Sequence, residues 1–151
     1  MEEPPKLAAD RMLMRLGRWL RLLGADVVTD AQSDGAHLLA RARVDGRLML
    51  TRDKRLRSAS DVIFIEANDL RAQLREVLAR VPFDTRQFAL TRCSRCNLLL
   101  RPVPREMLSR RVPPFVFASQ HKFSACDGCG RIYWRSTHPE RISRLLDSIG
   151  F

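Results

Sequence analysis

The hydrophobic pattern is clearest over residues 11–24, where apolar side chains recur at the spacing of a helix. At about 100° per residue, one face of this segment is apolar and the opposite face is basic. The apolar face carries Met12, Leu13, Leu16, Trp19, Leu20 and Leu23, and the basic face carries Arg11, Arg15, Arg18 and Arg21. Gly24 is of the residue type that commonly follows the end of a helix. The pattern predicts an amphipathic helix whose apolar face lies in a core.

Short apolar runs on either side of such helical segments predict four strands. They cover residues 7–9, 26–29, 48–50 and 61–67. A second helix is predicted from a cap at Ser33 or Asp34 to about Val44, and a third over residues 70–81 after a cap at Asn68 or Asp69. The order strand, helix, strand, helix, strand, strand, helix predicts an α/β fold whose parallel strands are joined by helical crossovers.

Aspartates follow several of these strands. Asp10 follows the first strand, Asp53 the third, and Asp34 opens the helix after the second. Because parallel sheets place functional groups beyond the carboxyl ends of their strands, we expect these carboxylates to meet at one edge. Carboxylates held close together repel each other, and Mg²⁺ or Mn²⁺ would compensate the repulsion. Capping explains Asp34 as well as metal binding does, whereas the strand-end positions of Asp10 and Asp53 favour a metal site. Such a site can hydrolyse phosphodiesters.

The charge balance narrows the class of partner. The formal net charge is +10, and it is uneven: residues 1–90 carry 16 basic and 13 acidic side chains, residues 91–151 carry 11 and 4. A basic surface attracts polyanions such as RNA, although it is also compatible with a merely soluble basic protein. No apolar run approaches the roughly 18 residues of a membrane span. The acidic, proline-bearing start, MEEPPKLAAD, is not a secretory signal, so the sequence predicts a cytoplasmic protein that does not bind membranes.

All the cysteines lie in the basic segment, in two CxxC pairs. The pairs are separated by 29 residues and consist of Cys93 with Cys96 and Cys126 with Cys129. This spacing is typical of a zinc ribbon in which four thiolates surround one structural zinc ion and leave no open position for catalysis. Two disulfides are disfavoured by the expected cytoplasmic location, and a redox CxxC by the absence of a helix after either pair.

The sequence therefore divides into two predicted domains, residues 1–86 and residues 87–151. The second is expected to be a small basic zinc ribbon that binds nucleic acid. Arg110 and Arg111 are candidate phosphate ligands within it. Tyr133 and Trp134 could stack on bases, or they could form the core of so small a domain.

Three motifs together resemble a known family. They are DRMLMRLGRWLRLLG at residues 10–24, Asp34 before HLLARA, and LTRD at residues 50–53. They resemble the PIN-like RNase domain at the C-terminus of the Mut-seven exonuclease, whose bacterial and archaeal members carry a zinc ribbon after it. The similarity extends from about residue 7 to residue 141.

The resemblance implies a PIN-like parallel sheet flanked by helices, and metal-dependent hydrolysis of RNA. It implies that Asp10, Asp34 and Asp53 are the acidic site residues. PIN-type sites usually use a fourth acid, for which Asp69 is the first choice because it follows a strand, while Asp61 and Asp30 stay open. The RNA, single-stranded or structured, would be held at its phosphates by Arg11, Arg15 and Arg18, although these residues are equally compatible with a solvated helix face. Arg52 is a further candidate RNA contact, which could instead stabilise charge near the metals or pair with a carboxylate.

Two rival functions are compatible with the same sequence. One is a non-catalytic RNA- or ribosome-binding module, and the other is a protein-interaction adaptor that retains the fold. The RNA target, endo- or exonucleolytic cleavage, and the oligomeric state are left open by the sequence.

Overall fold

A four-stranded parallel sheet forms the centre of the protein, as the sequence predicted. The computed structural model describes residues 3–134 and 138–151. The strands are β1 (Lys6–Ala9), β2 (Asp26–Thr29), β3 (Leu48–Thr51) and β4 (Val62–Phe64), in the order β2-β1-β3-β4. The last strand ends three residues earlier than the predicted run of residues 61–67. The chain places β2 on one side of β1 and β3 on the other. The crevice in which parallel sheets usually bind ligands therefore lies at the carboxyl ends of β1 and β3.

Three long helices cover the sheet, and an aspartate caps two of them. They are α1 (Met14–Leu22), α2 (Gly35–Val44) and α3 (Leu70–Arg80). Asp34 caps α2 and Asp69 caps α3, each accepting a backbone N–H from the first turn. The predicted first helix begins as a 3₁₀ turn, Arg11–Leu13, which Asp10 caps. A second 3₁₀ turn, Lys54–Leu56, is capped by Asp53. Each of these aspartates therefore caps the helix or turn that follows it.

The two faces of the sheet pack against different helices. One face, which includes Leu7 and Leu50, packs against α1 and α3 around Leu16 and Leu74. The other face packs against α2 in a smaller cluster around Met49. Burying the sheet on both faces is what parallel strands need, because both rows of their side chains are apolar.

The cysteine-containing segment forms a second, antiparallel sheet. It consists of β5 (Arg101–Val103), β6 (Phe123–Ala125) and β7 (Ile132–Trp134) in the order β5-β6-β7. Two short helices accompany the segment, α4 (Thr85–Phe88) before it and α5 (Pro114–Ser119) within it. Its apolar cluster includes Leu108, Val116 and Phe123, with Trp134 packed against it. Together with the clustered cysteines, this sheet is consistent with the predicted zinc ribbon.

A sixth helix, which the sequence analysis did not anticipate, returns to the first sheet. The apolar face of α6 (His138–Ile149) packs into the cluster of α1 and α3 through Ile142, Leu145, Leu146 and Ile149. Arg75 Nε also donates to the carbonyl oxygen of Ile149 at 3.1 Å. Residues of the second predicted domain thus complete the core of the first.

Among the helices of the described ranges, none is long and apolar enough to cross a membrane, and the cytoplasmic location stays a prediction.

Asp26, at the start of the edge strand β2, joins the two parts of the chain. Its carboxylate accepts hydrogen bonds from Arg47 Nη1 at 2.8 Å and from Asn97 Nδ2 at 2.6 Å, and its side chain is only 17% exposed. Burial raises the pKa of Asp26, but the hydrogen bonds from Arg47 and Asn97 outweigh burial and hold that pKa below its ordinary value.

We therefore expect Asp26→Asn to lower the free energy of unfolding by about 2 kcal/mol at neutral pH. Because the folded-state pKa is lowered, the contribution is present above the ordinary aspartate pKa and is lost as the pH falls through the folded-state value. Denaturant unfolding across the acidic range should show the difference between variant and wild type shrinking with falling pH. Asp127→Asn is the control, because Asp127 and its partner Arg101 are both more than half exposed and should contribute at most about 0.5 kcal/mol. Equal losses in both variants would contradict the expectation.

Candidate active site and cysteine cluster

An open cleft of about 350 Å³ lies at the carboxyl ends of β1 and β3. It is formed where three segments leave the sheet edge: the 3₁₀ turn after β1, the start of α2, and the 3₁₀ turn after β3. Its lining consists of Asp10, Arg11, Met12, Ser33, Asp34, Gly35, Arg52, Asp53, Lys54 and Arg55. Three of the four predicted acidic residues therefore line one cleft, together with four cationic side chains.

Asp10 is the most deeply held of the three carboxylates, with 6% of the residue exposed. Its Oδ1 accepts the backbone N–H of Met12 at 2.9 Å. Its Oδ2 accepts the Thr51 hydroxyl at 2.5 Å and the backbone N–H of Arg52 at 3.2 Å. Hydrogen-bond donors on both oxygens hold the Asp10 carboxylate in one orientation in the cleft.

Thr51 links two of the carboxylates, and the sequence analysis did not single it out. It is fully buried at the end of β3, where its hydroxyl donates to Asp10 and accepts the backbone N–H of Asp53 at 2.9 Å. One hydroxyl thus orients the Asp10 carboxylate and the backbone that presents Asp53. The sequence signal for this role was the position of Thr51 at the end of a buried strand, two residues before Asp53.

Asp53 forms an ion pair with Arg55, which lies in the 3₁₀ turn that Asp53 caps. Its Oδ2 accepts Arg55 Nη2 at 2.9 Å, and its Oδ1 accepts the backbone N–H of Arg55 at the same distance. These bonds hold the pKa of Asp53 below its ordinary value. The Arg55 side chain is 86% exposed, against 18% for Asp53. The arginine is therefore free to turn into solvent and release a carboxylate whose backbone stays fixed.

Asp34 lines the same cleft as Asp53, and the glycine after it lies near the Asp53 carboxylate. A Cβ on Gly35 would lie 3.5 Å from Asp53 Oδ2, an ordinary contact, and 2.9 Å from Leu56 Cδ1, the flexible end of a side chain that can shift. Asp34 itself accepts the backbone N–H of His37 at 2.8 Å and contacts His37 Nδ1 at 3.1 Å. The backbone bond from His37 and the contact with its ring hold the pKa of Asp34 below its ordinary value.

The candidates for a fourth acid lie elsewhere. Asp69 caps α3 and is not among the residues that line the cleft. Asp61 precedes β4, where it pairs with Arg43 at 3.7 Å. Asp30 accepts bonds from the Ser33 hydroxyl and from Arg41, which hold its pKa well below its usual range. Of these three, Asp30 is nearest to the cleft through Ser33, but its carboxylate is already fully engaged.

The predicted RNA-binding arginines separate into two groups. Arg11 and Arg52 line the cleft, whereas Arg15 and Arg18 are exposed on α1 outside its lining. Arg52 turns away from the carboxylates and donates to the carbonyl oxygens of Ile65, Glu66 and Ala67 and to Asn68 Oδ1. Lys54 and Arg55, which were not among the predicted RNA contacts, supply two further cations at the cleft.

The cleft carboxylates have the chemistry of ligands for a divalent metal ion. They are oxygen donors, the class that Mg²⁺ and Mn²⁺ prefer. Across residues 3–134 and 138–151, however, only the four cysteines form a set of three or more His, Cys, Asp or Glu side chains placed to hold one ion as they stand. Mg²⁺ usually keeps several waters and takes one or two carboxylates. The donor set fits that mode of binding and does not form an all-protein cage.

The four cysteines converge as the sequence predicted and could hold a metal ion such as zinc. The Sγ atoms of Cys93, Cys96, Cys126 and Cys129 all lie within 4.8 Å of one another, and none is in a disulfide. Cys93 Sγ and Cys129 Sγ are 3.7 Å apart. Zn–S bonds of about 2.3 Å in a tetrahedron place the sulfurs about 3.8 Å apart, so this pair already has the spacing of a zinc site.

Tyr133 is hydrogen-bonded to this cluster. It is buried, and its hydroxyl donates to Cys93 Sγ at 3.2 Å while it accepts the backbone N–H of Ser94, also at 3.2 Å. Burial raises the pKa of Cys93, but the hydrogen bond from Tyr133 and backbone N–H groups outweigh burial and bring that pKa to about 6. The contacts of Tyr133 with Cys93 and Ser94 favour its role in the core of the ribbon, and stacking on bases stays a prediction.

Comparison with known proteins gave one positive result. Neither the search of curated proteins nor the search of solved structures returned a match. A family model, described as the Mut7-C RNAse domain, matches residues 5–146. The match covers the parallel sheet, the acidic cleft and all four cysteines. The chain therefore belongs to the Mut7-C RNAse domain family.

Proposed function

We propose that this protein is a metal-dependent ribonuclease that cleaves RNA in the cleft at the carboxyl ends of β1 and β3. Membership of an RNase domain family supports a nuclease-like role. The observation that carries the finer proposal is the meeting of Asp10, Asp34 and Asp53 around one open cleft that also holds four cations. Carboxylates alone would repel RNA, and cations alone would bind it without a means of cleavage.

Each group of residues has a separate task in this proposal. Asp10, Asp34 and Asp53 would hold one or two Mg²⁺ or Mn²⁺ ions, with water completing the ligand set. When bound, such an ion supplies positive charge to the phosphodiester oxygens and makes water a better nucleophile. Arg11 and Lys54, which line the cleft, would hold the flanking phosphates, and Thr51 would keep Asp10 and the Asp53 backbone in register. Asp69 is left out of the ligand set because it lies outside the cleft lining.

The cysteine-containing segment would hold the RNA while a structural zinc ion keeps its fold. Arg110 and Arg111 are both exposed, and Arg111 Nη2 donates to the carbonyl oxygen of Gly130 beside the second CxxC pair at 3.0 Å. That bond fixes the guanidinium on the surface of the ribbon. The excess of 11 basic over 4 acidic residues across positions 91–151 supports an electrostatic contact with the phosphate backbone.

One cleavage assay separates this function from its rivals. Labelled single-stranded and hairpin RNAs would be incubated with the full-length protein, with and without Mn²⁺, and the product ends identified. We expect Mn²⁺-dependent cleavage that leaves a 5′-phosphate and a 3′-hydroxyl. RNA that is bound but remains intact in Mn²⁺ and Mg²⁺ would favour the non-catalytic binding module. The Asp53–Arg55 ion pair is the observation on which that second candidate rests, because it neutralises one proposed ligand.

We expect the double substitution Arg110→Gln and Arg111→Gln to weaken RNA binding alike for all sequences. Phosphate contacts carry no sequence information, and each one lost should reduce the slope of log affinity against log salt by about 0.7 for a single strand. Filter binding or fluorescence anisotropy at several salt concentrations measures both quantities. Arg71→Gln with Arg80→Gln, two exposed arginines on α3, is the control with the same charge change. Equal slopes for the two double variants would remove the ribbon arginines from the RNA contact.

A further inference from the structure

The outer edge of the parallel sheet is covered by the first CxxC turn. The strand β2 is the last in the order β2-β1-β3-β4, so within residues 3–134 and 138–151 one side of its backbone has no neighbouring strand. The backbone N–H of Val27 donates to Asn97 Oδ1 at 3.0 Å, and its carbonyl oxygen accepts Arg21 Nε at 2.8 Å. Two side chains thus take the place of a fifth strand. Natural sheets need such covers, because open edges invite pairing with other chains.

Arg21 connects this edge to the cysteines. The helical pattern placed it on the solvent face of α1, but it is only 6% exposed. Its Nη1 donates to the carbonyl oxygens of Ser94 and Arg95, both at 3.1 Å, and these residues lie between the first two cysteines. Its Nη2 donates to Thr29 Oγ1 at 3.2 Å. One guanidinium therefore bonds the edge strand and the CxxC turn at the same time.

The Asn97 side chain is positioned by the cysteine turn together with its hydrogen bond to Asp26. Asn97 follows Cys96 directly and has a φ of 66°, a conformation that asparagine tolerates better than most residues. Its backbone N–H donates to the carbonyl oxygen of Cys93 at 2.9 Å. The turn that would wrap a metal ion is thus the same turn that aims the Asn97 side chain at Val27. A buried arginine cation is also best tolerated beside negative charge, which four thiolates around one zinc ion provide.

We propose that the cysteine cluster acts as a metal-dependent clamp on the edge of the nuclease sheet. With zinc bound, the turn of residues 93–97 holds Asn97 and Arg21 against Val27. Without zinc the turn loosens, the edge of β2 opens to water, and the rest of the sheet stays folded. This proposal rests on the proposed zinc ion, but not on ribonuclease activity.

The exchange of single backbone amides tests the clamp. The zinc content of the full-length protein is measured first, and amide hydrogen exchange is then followed by NMR before and after removal of zinc by a chelator. We expect the Val27 amide to exchange at least about a hundredfold faster after removal. The amide of Ile65, which donates to Thr51 on the far side of the sheet at 2.8 Å, should change by less than about threefold.

A substitution separates the clamp from the metal itself. Asn97→Gly removes the side chain, and glycine adopts a positive φ without strain. With zinc still bound, it should speed exchange at Val27 by at least about tenfold. Asp61→Gly is the matched control, because Asp61 also has a positive φ (62°) but precedes β4 on the opposite edge. It should leave the exchange at Val27 unchanged.

Three results would overturn the proposal. A protein without zinc removes the metal on which the clamp depends. Zinc removal that leaves the Val27 exchange rate unchanged shows that the edge is held without metal. Equal acceleration at Val27 and Ile65 shows that the whole sheet unfolds with the ribbon, so there is no local clamp. None of these results bears on RNA cleavage, which the assay above decides separately.

Discussion

We expect Asp53→Asn to reduce Mn²⁺-dependent RNA cleavage by at least about a thousandfold while the protein stays folded. Asparagine keeps the size of the side chain and the hydrogen bond to the Arg55 backbone, but it lacks the charge that a divalent ion needs. Calorimetric Mn²⁺ titration should show weaker binding by the same variant. The backbone of residue 53 is held by its hydrogen bond to Thr51, which the substitution does not remove. We therefore do not expect misfolding to account for the loss of cleavage.

Asp69→Asn is the control that the structure provides. Asp69 caps α3 as Asp53 caps its own turn, and asparagine is as good a cap, so both substitutions change one charge at a helix start. Because Asp69 lies outside the cleft lining, its variant should retain near wild-type cleavage. If the two variants lose activity equally, Asp69 is the fourth ligand after all. If cleavage persists in Asp53→Asn, the carboxylate serves only to pair with Arg55.

Cys126→Ser should have the largest effect on stability. The serine hydroxyl does not ionise at neutral pH, so it cannot replace a thiolate ligand of zinc. We expect bound zinc to fall from about one per chain to near zero, and the free energy of unfolding of the ribbon to drop by at least about 3 kcal/mol. Metal analysis and denaturant unfolding measure the two effects, and residues 91–134 should lose protection first.

Ser124→Ala serves as the control for Cys126→Ser, because Ser124 lies on the same strand, β6, but outside the cysteine cluster. It should retain zinc and nearly all of the stability. Wild-type protein that contains no zinc, and whose mass without reductant is four hydrogens lower than that of four free thiols, would show two disulfides instead. That result would contradict the metal reading of both CxxC pairs.

Local patterns predicted most of the parallel sheet and the grouping of its acids. The helical period of residues 11–24 identified Leu13, Leu16 and Leu20 as core residues, and all three are buried. Strand ends and helix caps are local signals, and in a parallel sheet they converge by geometry alone. Asp10, Asp34 and Asp53 therefore reach one cleft, although their roles as ligands stay predictions. The CxxC spacing similarly predicted the cysteine cluster.

What the sequence could not give depends on contacts between distant segments. Arg21 is buried because the first CxxC turn packs over it. The helical period describes only the spacing within residues 11–24, so it cannot predict a contact with residues 93–97. Met12 belongs to the apolar face by angle but is largely exposed at the cleft, because the chain begins as a 3₁₀ turn there. The last helix could have been found, since Ile142, Leu145, Leu146 and Ile149 recur at helical spacing.

The packing of α6 against α3 also has a consequence for the order in which the protein folds. Ribosomes deliver the chain from its N-terminus, and domains commonly fold as soon as they have emerged. Here the sheet and its first three helices emerge long before Ile142 and Leu146, which close the apolar cluster around Leu74 and Val77. Until then, part of that cluster is open to water and to other nascent chains. The sheet domain is therefore expected to finish folding only after the ribbon has been synthesised, and to be most vulnerable to aggregation during that interval.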